Sequence, residues 1–176
     1  KDLASVLVAQ GLSDVEVRDN LLLIIAAVSY VLLVVLNLWR LIGHRSAMGE
    51  DFYDIRQSFG FFTFVAGTGV LGSRLALSGW WTTAVVLLVI AAISWLALGY
   101  LVPVFAVLGK AERPIIKGAN GSWFVWVVGA QSVAVLAATL EPVLAGSRDI
   151  LAITAVFAWS IGLVLYVAVA VFVALR

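Results

Sequence analysis

The sequence predicts an all-α integral membrane protein with five transmembrane helices plus the end of another. Three observations carry this. The 176 residues are 64% hydrophobic and only 12% charged, with mean hydropathy +1.13, whereas a soluble domain carries about 25% charged residues. Five apolar runs, at about 21–39, 59–79, 82–108, 121–140 and 150–175, are long enough to cross a bilayer, which takes about 20 residues at 1.5 Å rise each. Finally, all ten carboxylates and ten of the eleven Lys and Arg residues fall between these runs or at their ends.

Before the first run, LASVLVAQGL (3–12) is apolar but too short to span, and reads as the tail of a helix. The start at Lys1 and the stop at Arg176, directly after an apolar run, lead us to expect a piece of a longer chain. The 21–39 run must be helical, because lipid leaves no partner for unpaired backbone groups. The connection at 40–58 holds Arg40, Arg45 and Arg56, with EDFYDIR (50–56) as a surface stretch or short helix. The second run, 59–79, keeps a cation inside its end, Arg74. The third, 82–108, contains Pro103, which removes a helical hydrogen bond and predicts a kink. The 109–120 connection holds Lys110, Arg113 and Lys117, and Arg176 follows the last run. Seven cations thus lie on one side and four (Lys1, Arg18, Arg74 and Arg148) on the other. The positive-inside rule places the 40–58 and 109–120 connections in the cytoplasm. Trp39, Trp80, Trp81 and Trp123 fall near span ends, as an interfacial aromatic belt would.

Composition also excludes. There is no cysteine and a single histidine, His44, so thiolate chemistry, disulfides and multi-histidine metal sites have no residues to use. With no acid inside any span, the proton relays and acidic rings of many carriers and cation channels are missing. A net charge of +1 gives no call on nucleic acid. We expect no enzyme, no catalytic residue, no cofactor and no metal.

One motif invites a nucleotide reading. Gly67–Gly72, GTGVLG, matches G-x-G-x-x-G. That fingerprint needs a strand before it, an amphipathic helix after it and an acid about 20 residues on. Here FFTFVA precedes it, LALSGWWTTAVVLL follows, and residues 91–94 are Ala-Ala-Ile-Ser. Gly67, Gly69 and Gly72 read instead as small residues that let helices approach, or that keep an aqueous path open.

Two runs carry polar faces. Thr63 and Arg74 are 11 residues apart, within about 20° of each other on a helix, with Gly67 and Val70 on or near that face. Arg74 either snorkels to the headgroups or stands at the outer mouth of a path for anions. Asn120 and Gln131 repeat the spacing, sharing a face with Phe124, Val127 and Ala134. Gln131 lies mid-span, where an amide needs a partner on another helix or an aqueous path. Gly118, Asn120 and Gly121 suit a helix start whose amides face the cytoplasm. An apolar path with hydroxyl, amide and glycine surfaces and one cation tolerates an anion better than a cation.

GFFTFVAGTGVLGSRL (60–75), GANGSWFVWVVGAQSVAVL (118–136) and, more loosely, the WSIGLVLYVAVAVF ending resemble the tellurite-resistance/dicarboxylate transporter family. That family includes plant slow anion channels, fungal malate transporters and sulfite pumps. The first two stretches resemble its third and fifth helices. The resemblance implies that the chain is part of a ten-helix bundle of hairpins with quasi-fivefold symmetry, residues 1–176 forming a partial transporter or channel domain. It further implies a homotrimer in the plasma (cell inner) membrane, crossing it several times. Its implied cargo is a small anion: C4-dicarboxylate, sulfite, nitrate or halide. The pore-facing set it implies, with the face chosen by periodicity, is Thr63, Gly67, Val70, Asn120, Phe124, Val127 and Gln131, with Arg74 at the mouth. The family's gating phenylalanine belongs to a ninth helix that this sequence does not contain. A different class of function, a structural or assembly subunit without transport, would show every polar face residue engaged by a neighbouring helix.

Overall fold

A computed structural model describes residues 3–8, 14–54, 57–108 and 120–175. Lys1, Arg56, Lys110, Arg113, Lys117, Gly118 and Arg176, which enter the charge bias and the helix-start expectation, lie outside the described residues, as do 9–12 of the first apolar stretch. Those described form helices α1 (Leu3–Val8), α2 (Asp14–Gly43), α3 (Arg45–Tyr53), α4 (Phe62–Leu77), α5 (Trp81–Leu108), α6 (Phe124–Leu140) and α7 (Arg148–Ala174). Short 3-10 turns at Ser58–Phe61, Gly121–Trp123 and Ala145–Ser147 lead into α4, α6 and α7. Five segments are long and apolar enough to cross a membrane: Val17–Gly43, Ser58–Leu77, Trp81–Phe105, Gly121–Leu140 and Ala145–Ala174. They coincide with the five predicted runs.

The chain forms two compact units, Lys1–Trp39 and Arg40–Arg176. In the first, α2 begins seven residues before its predicted run, taking in Asp14, Glu16, Arg18 and Asp19. Carboxylates at a helix start face the positive end of its dipole, which favours the extension. Leu22, Ile25, Leu32 and Leu36 are exposed, an apolar surface fit for lipid chains.

In the second unit, the most apolar stretch of Gly121–Leu140 is 56% buried and that of Ser58–Leu77 39%, against 22% for Trp81–Phe105 and 17% for Ala145–Ala174. α4 and α6 are therefore its centre and α5 and α7 its flanks. Small residues set the spacing between the central pair. A Cβ on Gly69 would lie 2.7 Å from the Cβ of Ser132, and one on Gly72 2.6 Å from Leu136 Cδ2. From the other side, a Cβ on Gly129 would meet Phe62 Cδ1 at 3.3 Å. Without a hydrophobic force between helices in lipid, close backbone approach of this kind holds them together.

The first connection folds as α3 rather than a bare loop. Arg40 forms an ion pair with Asp51. The ring of Phe52 lies 4.8 Å from Phe61 and 5.7 Å from Phe105, and that of Tyr53 5.1 Å from Phe105. α3 is thus fastened to the start of α4 and the far end of α5. That helix continues through Pro103 to Leu108. α4 is closed just beyond its end by Gly79, whose φ of +84° is the single positive value among the described residues. Trp80 N donates to Leu75 O at 2.9 Å and Gly79 N to Ala76 O at 3.0 Å, the paired bonds of a glycine C-cap.

Trp39, Trp80 and Trp81 are exposed at span ends, where the belt expectation put them. Trp123 departs from it. It is 5% exposed, with its ring 4.7 Å from that of Phe59. The 3-10 turns before α4 and α6 bring these two rings together inside the bundle.

Candidate functional site

The site follows from how the central pair is covered. Gly129 meets Phe62 and Val65, Gly69 meets Ser132, and Gly72 meets Leu136, so positions rise together and α4 and α6 run the same way. α5 packs on both: Leu87 lies against Gly72, and a Cβ on Gly99 would lie 3.6 Å from Trp126 Nε1. It therefore closes one side of the pair. α7 covers the far flank of α6, where Gly162 leaves room for Gln131 and Ala130.

Among the described residues of this unit, the side of each helix turned away from these contacts carries an exposed stripe. On α4 it is Thr63, Gly67 and Val70, all exposed, followed by half-buried Arg74. On α6 it is Val128, 49% exposed, and Val135, 55% exposed, with Ala138 exposed beyond them and Phe124 and Gln131 half-buried alongside. Turning around α4 from its α6 contact at Gly69 to its α5 contact at Gly72 runs in one sense. Turning around α6 from Ser132 to Trp126 runs in the other. In both helices the open stripe lies on the opposite side from α5, so the two stripes share one face of the pair.

The predicted set distributes unevenly over this face. Thr63, Gly67, Val70 and Arg74 come together as expected from their spacing. Arg74 occupies the last turn of α4, where a cation suits the negative end of the helix dipole. The α6 half divides. Asn120 caps the turn before α6, its Oδ1 accepting from Ser122 N at 2.8 Å. Phe124 borders the stripe, its ring 5.7 Å from Tyr166 of α7. Val127, expected on the same face, is instead 7% exposed and packed into the core. Gln131 sits at the edge of the stripe and donates through Nε2 to Trp159 O at 3.3 Å. Beside it runs a shallow groove of about 330 Å³, lined by Ala134, Val135, Ala155 and Trp159 among others.

Val128 and Val135 are the residues that periodicity alone missed. Two stripes fit the α6 sequence, one through 120, 124, 127 and 131 and one through 124, 128, 131 and 135, and both contain Phe124 and Gln131. Valines carry no polar mark to choose between them. Only the neighbours of α6 decide, since Gly129 and Ser132 turn to α4 and Ala130 to α7. The glycine motif also splits by role. Gly69 and Gly72 are buried in the α4–α6 contact, whereas Gly67 faces out on the open stripe. Among the described residues, no three His, Cys, Asp or Glu side chains gather closely enough to hold a metal ion.

The chain's pattern matches the family model described as voltage-dependent anion channel, over residues 4–176. The protein belongs to that family. No curated protein and no solved structure matches the chain. As a voltage-dependent anion channel family member, it is a multi-pass membrane protein of a class that moves anions across the bilayer, and its five apolar helices are consistent with that bundle. The tellurite-resistance/dicarboxylate resemblance in residues 60–75 and 118–136 points to the same family.

Proposed function

We propose that the protein carries small anions across the plasma (cell inner) membrane along the shared open face of α4 and α6. The observation that supports this most is that the two stripes lie on one side of the central pair. They combine the hydroxyl of Thr63, the open surface of Gly67 and the amide of Gln131 with no carboxylate. Transport needs no covalent chemistry on this reading. A pore wall of this kind offers weak polar contacts that let an anion enter and leave. The cargo is a monovalent anion such as nitrate or halide, or a small oxyanion or dicarboxylate such as sulfite or a C4-dicarboxylate. The working unit is a homotrimer, each protomer with its own path, and Arg74 marks the outer end.

Because residues 1–176 hold no cysteine, cysteines introduced here report on this face once any outside them has been replaced. In the full-length protein in liposomes, Val128→Cys and Val135→Cys are expected to react with a water-borne, membrane-impermeant thiol reagent and to lose anion flux on reaction. Val127→Cys, in the core, and Val86→Cys, on an exposed apolar face of α5, are expected to stay unmodified. Reaction at 127 and none at 128 or 135 would return the path to the stripe expected from periodicity. Gln131→Leu is expected to weaken flux while costing only about 0.6 kcal/mol of stability, the average for an interhelical hydrogen bond in a membrane. Flux and thermal unfolding measured on the same preparation separate the two effects.

A further inference from the structure

An ion pair joins α6 to α7 outside the two stripes. Glu141 follows α6 directly, and its carboxylate accepts from the Arg148 guanidinium at the start of α7. The Glu141 side chain is 23% exposed and that of Arg148 66%. Since α4 and α6 run the same way and Gly72 lies level with Leu136, Glu141 stands at the end of the bundle where Arg74 completes the α4 stripe. Along the helix direction it lies about one turn beyond Arg74, at 1.5 Å per residue, and around α6 it shares the α7-facing side of Ala130, eleven residues earlier.

As a structural tie so exposed a pair is weak, about 0–1 kcal/mol. Its effect on an anion is of another kind. A bare carboxylate at this end of the bundle repels, at long range, an anion approaching the Arg74 end of the open face, and a neutralised one does not. We infer that Arg148 is a positioning residue for the path, holding the Glu141 carboxylate in an ion pair so that the Arg74 end of the open face stays favourable to anions. This rests on the anion-path reading above. Asp149, the other described carboxylate at this end of the second unit, lies exposed in the first turn of α7 and is unchanged in every variant below.

The test is chloride flux through the full-length protein in liposomes. Arg148→Gln is expected to lower flux about 1.6-fold at low salt, the effect of one uncompensated charge on the order of 14 Å away in water, across the width of α6. The loss is expected to vanish at about 0.5 M salt, where the Debye length is only a few ångströms. The double variant Glu141→Gln/Arg148→Gln is expected to recover flux at low salt, which a merely structural role for the pair would not allow. A loss that persists at high salt, or one shared by the double variant, overturns the role of Arg148. So does unaltered flux in Arg148→Gln. An unmodified protein that carries no anion overturns the transport reading itself, and this inference with it.

Discussion

Gly69→Leu is expected to destabilise the detergent-solubilised protein by about 1–3 kcal/mol or more, the range for overpacking a filled interface, while Gly67→Leu leaves its unfolding temperature nearly unchanged. The two glycines are separated by one residue in the sequence and by half the circumference of α4. A Cβ at 69 would lie 2.7 Å from both Cβ and Oγ of Ser132 and 2.9 Å from its backbone carbonyl carbon. A rotamer change in Ser132 does not relieve contact with a backbone atom, so the helices themselves must part. Ser132 cannot give way cheaply for a second reason: its hydroxyl donates to Gly129 O at 2.8 Å and lies 3.4 Å from Val65 O, bridging toward α4. Position 67 is exposed and turned away from Ser132, so a leucine there is not pressed into the α4–α6 contact and instead narrows the open face. The expected pattern is thus crossed. Gly69→Leu lowers the thermal midpoint, and Gly67→Leu keeps the midpoint but blocks anion flux. Equal destabilisation by both would mean that the α4 stripe is a packing surface.

How far this arrangement is legible in the sequence depends on what marks each face. The five spans are legible because a bilayer admits only uninterrupted helices here, and apolar length alone reveals them. Their ends are less so. Charges such as Arg18 and Asp19 sit inside α2, since long or terminal side chains reach water from within a helix. The α4 stripe is legible because Thr63, Gly67 and Arg74 stand out against leucine and phenylalanine. The α6 stripe is only half legible. Its polar members, Asn120 and Gln131, serve local ends: Asn120 caps the turn before the helix, and Gln131 reaches the backbone of Trp159, 28 residues further on. A polar residue announces that it needs a partner but not on which side the partner lies. Trp123 shows the same limit, since an aromatic at a span end looks interfacial until Phe59 is brought against it.

Arg74→Glu is expected to cut anion flux about ten-fold at low salt. At physiological salt the deficit shrinks but remains, because Arg74 is half-buried rather than on the open surface. The size follows from exchanging a positive for a negative charge, a change of two units. One unit charge at about 5 Å is worth about 0.8 kcal/mol in water and more where the dielectric is lower, so two give about a factor of ten or above. Arg74→Gln removes one unit and is expected to fall about midway on a logarithmic scale. Fold stability separates this role from snorkelling. An arginine that merely reaches the headgroups contributes through its aliphatic stem and the helix dipole, and glutamine or lysine in its place then changes stability slightly and flux not at all. A residue at the mouth behaves otherwise: Lys in place of Arg keeps flux, Gln lowers it, Glu lowers it further, and the three differ little in thermal midpoint. Within the face described above, that graded order would tie Arg74 to Thr63, Gly67 and the two valines of α6 as parts of one path. Flux indifferent to the charge at 74 would leave the path with Gln131 as its strongest polar contact, and would place Arg74 among the residues that simply end a helix in lipid.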